Sequence, residues 1–211
     1  MIYLIGGPPR SGKTTLAKYM SKKLGIPWIS CDTLESISTA YMSKDEYKKT
    51  HPYSELRDTT SRDNDGFYAV HSAKKIVSVL RRQAKATFPA IDAVTICEIT
   101  DGNDYIIEGY HIEPRLVAKL IKKYGKENIR AIFLTKFDAE KFAQDVKKST
   151  TPNDWLLVRT KKNETFLKVG AMVAEFSRVL ELEAKKYGFK VLCMDQKFDQ
   201  MLKEAVSYLR K

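Results

Sequence analysis

Eight residues near the start of the chain, Gly7, Pro8, Pro9, Arg10, Ser11, Gly12, Lys13 and Thr14, satisfy the phosphate-binding spacing G-x-x-x-x-G-K-[ST]. An apolar run at residues 1–5 leads into them, and an amphipathic stretch follows. Glycines let such a loop curl until several backbone N–H groups point at one anion, and the positive end of the following helix reinforces that preference. Lys13 then reaches the β- and γ-phosphates of a nucleotide, and the Thr14 hydroxyl joins the shell of a Mg2+ ion, which keeps most of its waters. The expected binding stretch extends to Thr15.

The elements that must position this loop read as alternating strands and helices. Apolar runs of four to seven residues recur between longer segments of helical periodicity, which is the pattern of a parallel sheet covered on both faces. The expected strands are residues 2–5, 27–31, 105–108, 130–134 and 190–194. The expected helices are 12–24, 114–124, 139–148, 164–187 and 198–209. The fold class is therefore α/β, with five parallel strands.

Two stretches break the alternation. Residues 32–104 are far more chain than a crossover needs. They hold a polar, aromatic part with Tyr41, Tyr47, Tyr53, Arg57 and Arg62, then a helix-like run over 67–86. An insertion of this size beside a phosphate loop is expected to grip a substrate. Residues 149–163 form a polar, basic loop before a long helix and read as a lid.

The chain of 211 residues reads as a single domain, 1–211, and its 43% hydrophobic and 30% charged residues suit an ordinary globule. A formal net charge of +11 favours anionic partners: nucleotides, phosphorylated metabolites or, less favoured, nucleic acid. Dibasic pairs such as Lys22-Lys23 and Lys122-Lys123 read as solvated helix faces. The three cysteines form no C-x-x-C pair, so a disulfide scaffold or zinc site is not expected, and two of them sit in apolar runs suited to buried thiols. With no cationic leader and no apolar run of spanning length, the sequence predicts a cytoplasmic protein without a membrane anchor. Its oligomeric state is not readable.

The phosphate loop, the insertion after the second strand and the basic loop after the fourth together resemble the P-loop small-molecule kinases related to adenylate, shikimate and gluconate kinases. Residues Ile106, Ile107, Glu108, Gly109, Tyr110 and His111, with the helix before the last strand, add a likeness to 2-phosphoglycerate-kinase-like proteins. The resemblance implies a three-layer fold with sheet order 2-3-1-4-5, and transfer of the γ-phosphoryl group of ATP, with Mg2+, to a small polar or anionic acceptor. It also implies that Asp32, just past the second strand where ligands of open α/β sheets collect, contacts the acceptor hydroxyl; the same position suits capping a helix that starts near Thr33.

Glu108 ends the third strand, where P-loop enzymes often place an acidic residue that holds Mg2+ through water; pairing with a lysine is the competing reading. Gly109 would admit a close neighbour. His111, lacking a visible partner, reads as a polar strand-end residue. Arg159 is the expected lid cation, with Lys161 and Lys162 as substitutes, because a guanidinium binds phosphate oxygens bidentately. Arg10 can face the phosphates. Arg57, Arg62, Arg81 and Arg82 can bind an acidic acceptor, although Arg81 and Arg82 read first as solvated helix charges. A competing class is a GTP-binding switch, since Thr135, Lys136, Phe137 and Asp138 fit a guanine-reading T/N-K-x-D element; no D-x-x-G follows the third strand. In the kinase reading the base lies near Asp195, Gln196 and Lys197.

Overall fold

The first strand, β1 (Ile2–Gly6), is buried along its whole length, and its side chains part by alternation into two separate cores. Ile2 and Leu4 join one core, Tyr3 and Ile5 the other, as the two-residue repeat of a strand covered on both faces requires. The computed structural model describes residues 1–151 and 153–210; Pro152, within the expected lid, and Lys211 lie outside the described residues.

After β1 come α1 (Lys13–Leu24) and β2 (Trp28–Ser30), then six helices of the insertion: α2 (Cys31–Ala40), α3 (Lys44–Thr50), α4 (Pro52–Asp58), α5 (Asn64–Val70), α6 (Ala73–Ala84) and α7 (Phe88–Thr100). The alternation then resumes with β3 (Tyr105–Gly109), α8 (Pro114–Tyr124), β4 (Ile129–Thr135) and α9 (Ala139–Lys147). The short α10 (Trp155–Val158), the long α11 (Asn163–Lys186), β5 (Lys190–Cys193) and α12 (Phe198–Leu209) complete the chain.

The five strands are all parallel in the order β2-β3-β1-β4-β5, the order the resemblance implied. Tyr3, Ile5, Ile106, Ile132 and Leu134 pack with Leu16, Met20, Leu202 and Val206 of α1 and α12 on one face. Ile2, Leu4, Ile107 and Phe133 meet the insertion and α8, α9 and α11 on the other. Two layers of helix thus sandwich the sheet.

Three local expectations are corrected. The run over 67–86 is two helices, because Asp63 caps α5 at the Gly66 N–H and Ser72 caps a new start at the Lys75 N–H, with His71 extended between them. The helix expected near Thr33 begins at Cys31, capped by Ser30, whose Oγ accepts from the Thr33 N–H. Only Cys31 is a buried thiol: Cys97 lies on the outer side of α7 and Cys193 on the edge strand β5.

Candidate functional site

The loop between β1 and α1 is held in a shape that few side chains could share. Gly12 has φ 97°, and a Cβ there would stand 2.8 Å from the Phe198 ring at the start of α12. Arg10 also takes a left-handed φ of 64°. Gly12 gives α1 no side-chain cap and no acid occupies its first turn, so the leading N–H groups remain free for an anion. Ser11 Oγ, fully buried, has no hydrogen-bond partner. Lys13 is 8% exposed, and its Nζ donates to the Pro8 carbonyl at 2.8 Å. Burial pushes its pKa below that of an ordinary lysine, while the nearby Glu108, Asp32 and Cys31 pull the other way. A desolvated cation, an orphaned hydroxyl and unclaimed amides in one hollow fit a phosphate group.

Glu108 comes to the loop because β3 pairs directly with β1, setting Glu108 beside Ile5 and Gly109 beside Gly6. Thr14 Oγ1 donates to Glu108 Oε1 at 2.8 Å. The carboxyl is 3% exposed; burial raises its pKa, with Lys13 and the Thr14 hydrogen bond opposing. Among the described residues no cluster of three or more His, Cys, Asp or Glu could hold a metal. A Thr14–Glu108 pair suits an ion that takes most ligands from water and phosphate. What Gly109 admits is the Cys31 side chain, since a Cβ there would meet Cys31 Cβ at 2.5 Å.

Asp32 lies in the first turn of α2, its side chain 77% exposed, and does not cap the helix. It lines the same cavity as Lys13, Thr14 and Glu108, about 950 Å³ at the carboxyl end of the sheet. His111 follows the end of β3 by two residues. It is fully buried, with Nδ1 3.9 Å from Asp32 Oδ1 and Nε2 3.5 Å from Glu35 Oε2.

The insertion supplies the far wall. Arg57 is buried under the cavity, donating through Nη2 to the Arg62 carbonyl and Asn64 Oδ1 and stacking over the Phe67 ring at 4.5 Å. Its other terminal nitrogen, Nη1, is buried without a partner, as is the Tyr68 hydroxyl, and both side chains line the cavity. Arg62 lines it too, paired with Asp58 at 2.7 Å. Arg81 is elsewhere and is no solvated charge: it joins Glu113 at 2.6 Å and Glu183 at 2.7 Å, tying α6 to α8 and α11.

Arg159, at the end of α10, is exposed and lines the cavity, and its carbonyl accepts from the Asn64 N–H. Lys161 and Lys162 are not among the lining residues; their backbone N–H groups bind Asp65. The lysines that do face the cavity from this side are Lys136 and Lys148, which the loop-centred reading missed. Lys136 is half-buried, and that burial lowers its pKa. Its position just past β4, beside the central strand, was the available signal. Arg10 reaches across to the same wall, with Nη2 2.7 Å from Asp154 Oδ2, while Asp154 Oδ1 accepts from the Leu156 N–H.

The Thr135-to-Asp138 element is consumed structurally. Thr135 Oγ1 donates to the Leu192 carbonyl, the Lys136 N–H to Ser177, and Asp138 Oδ1 caps α9 by accepting from the Lys141 N–H. Asp195 Oδ2 accepts from the Phe137 N–H at 2.8 Å, so this carboxylate fastens the β4–α9 turn.

No family model and no curated protein matches the sequence. Solved structures do. The chain is similar to a sugar kinase from Janibacter sp. (TM-score 0.56, 14% identity, 99% of this chain and 94% of that one). It is similar to shikimate kinase from Bacteroides thetaiotaomicron (TM-score 0.53, 15% identity, 100% and 96%). A gluconokinase from Sinorhizobium meliloti also superposes (TM-score 0.51, 14% identity, 99% and 90%). At this identity the likeness is one of fold, and it spans nearly the whole length of each partner: the chain has the three-layer P-loop α/β architecture of small-molecule kinases.

Proposed function

We propose that the protein is a phosphotransferase that moves the γ-phosphoryl group of ATP, with Mg2+, to the hydroxyl of a small polar or anionic acceptor. One observation carries the reading: the phosphate loop, the Thr14–Glu108 pair, Asp32 and Arg159 all open onto a single cavity, with the buried cation Arg57 in its opposite wall.

In this reading residues 7–15 cradle the donor phosphates, and Lys13, driven out of water, neutralises charge that grows on them during transfer. Thr14 and Glu108 would hold the Mg2+ ion, which would supply positive charge to offset that of the phosphates. Asp32 accepts the hydrogen bond of the acceptor hydroxyl and aims its oxygen. Arg159, with Lys136 and Lys148 near it, closes over the transferring group, residues 149–163 acting as the lid. Arg57 and Tyr68 meet a polar or anionic part of the acceptor, and residues 32–104 serve as the substrate-binding insertion.

Phosphoryl transfer needs alignment and charge neutralisation more than covalent chemistry, and the arrangement supplies both. The test is ATP binding and turnover by Lys13→Ala against the wild type across a panel of hydroxylated and anionic acceptors. The expected result is loss of turnover with the melting temperature retained; undiminished turnover rejects the reading.

A further inference from the structure

Behind Asp32 runs a buried polar path that the phosphoryl-transfer reading leaves unused. Asp32 and Glu35 sit three residues apart on α2 and therefore share a face, where they bracket the His111 ring, one carboxylate near each nitrogen. Neither ring nitrogen makes a hydrogen bond. Glu35 is itself held: its Oε1 accepts from Gln83 Nε2 at 2.9 Å and lies 3.5 Å from His51 Nε2. The Gln83 amide oxygen in turn accepts from the Tyr53 and Ser54 N–H groups at 3.0 and 3.2 Å. Those are leading amides of α4, the helix that carries Arg57. The path thus reads Asp32, His111, Glu35, Gln83, α4, and its open joint is the 3.9 Å gap between His111 and Asp32.

A buried imidazole whose nitrogens lack hydrogen-bond partners is destabilising. His111 cannot easily turn elsewhere, because the Tyr110 ring packs on it with centroids 3.8 Å apart. Asp32, by contrast, is exposed and free to rotate. A swing of roughly 1 Å shortens the contact to the ~2.8 Å of a charge-assisted hydrogen bond. The charged or titratable groups around the ring are Asp32 and Glu35 on α2, the Cys31 thiol at the start of α2, Glu108 on β3 and the neighbouring Tyr110; His51 sits beyond Glu35.

We propose that His111 is a positioning residue for Asp32: Nδ1 donates to one carboxylate oxygen, the other oxygen faces the acceptor hydroxyl, and Glu35 and Gln83 tie that orientation to the helix bearing Arg57. The proposal rests on Asp32 being the acceptor-orienting carboxylate. It makes capture of the acceptor at Arg57 and alignment at Asp32 one coupled event, since a shift of α4 is transmitted through Gln83 and Glu35 to the ring.

The contact is read on the protein itself by long-range 1H–15N spectra of the three histidines, alone and with Mg2+ and a non-hydrolysable ATP analogue. Asp32→Asn, an exposed change that leaves the fold intact, is expected to move the His111 Nδ1 resonance and leave Nε2 nearly in place. Glu35→Gln is expected to do the reverse. An Nδ1 resonance indifferent to Asp32→Asn, with and without nucleotide, overturns the proposal. Kinetically, with water as acceptor, His111→Gln should lower kcat for ATP hydrolysis about tenfold at unchanged KM, and His111→Asn, whose amide reaches the Nδ1 position, should recover part of it. Equal losses in the two variants assign the residue to packing and overturn the positioning role. A wild type that neither binds nor turns over ATP brings down the phosphoryl-transfer reading instead, with the nitrogen resonances still reporting the contact.

Discussion

Thr14 donates its hydroxyl hydrogen bond to Glu108 across 2.8 Å, joining the first turn of α1 to the end of the strand beside β1. Were Mg2+ bound here, the Thr14 hydroxyl and the Glu108 carboxylate would be the groups that hold it. Glu108→Gln keeps the shape and the hydrogen bond but removes the charge. The expected effect is a fall of about 10- to 100-fold in Mg2+ affinity or turnover. Nucleotide binding without metal should change far less, since Lys13 and the loop amides remain. Titrating Mg2+ at fixed nucleotide checks this, and an unchanged metal dependence would count against Glu108.

Arg159 is an exposed residue that lines the cavity together with Ser149, Thr150, Thr151 and Trp155. Arg159→Ala is expected to lower kcat by about 10²-fold, the scale of losing one preorganised donor to a developing charge. Arg159→Lys should restore only part, because an ammonium lacks the fork. Steady-state rates at saturating nucleotide separate the two; equal rates for all three proteins exclude the role.

Asp138 provides the test of nucleotide choice. Its carboxylate caps α9, so Asp138→Ala should cost about 0.5–2 kcal/mol of stability and leave the preference between ATP and GTP untouched. Denaturant melts and paired nucleotide titrations measure both. A variant that loses GTP binding while keeping its stability would revive the guanine-reading element.

Glu35 gives the stability curve a definite slope in acid. Burial works to raise its pKa, but the adjacent His111 imidazole, the Gln83 hydrogen bond and His51 outweigh it and hold the carboxyl below its ordinary value of 4.5. A depressed folded value means that the unfolded chain binds the proton first, so the stabilisation is present above about 4.5 and is lost as the pH falls through the lower, folded value. Glu35→Gln should therefore flatten the loss of stability below that pH. Urea titrations at a series of acid pH values show it; parallel curves for the two proteins would dismiss the network as a source of acid sensitivity.

Much of the fold was legible because strands and helices advertise themselves by period. Helices α8 and α12 end where their apolar spacing places them, and the sheet order followed from the resemblance carried by the loop at residues 7–14. The single-helix reading over 67–86 failed because Ser72 starts a new helix with one hydroxyl, a choice that periodicity does not register. Asp32 stood out by its position after β2. Glu35 did not, and Lys136 did so only within a guanine-reading pattern, since their importance arises from who faces them: His111 just past β3 in one case, the open cavity beside the central strand in the other. Arg81 reads as a surface charge until α8 and α11 deliver Glu113 and Glu183 to it.

The position of β1 has a consequence for how the chain is made. It is made well before its two partners, β3 and β4, which begin at residues 105 and 129. At ribosomal rates of about 5–20 residues per second, the apolar segment Ile2–Gly6 waits roughly 5–20 s for β3 alone. During that interval it offers two unpaired edges and two greasy faces, and the loop at residues 7–14 has no neighbouring strand to brace it. The contact between Thr14 and Glu108 that ties this loop to the sheet therefore forms only after synthesis has passed residue 108.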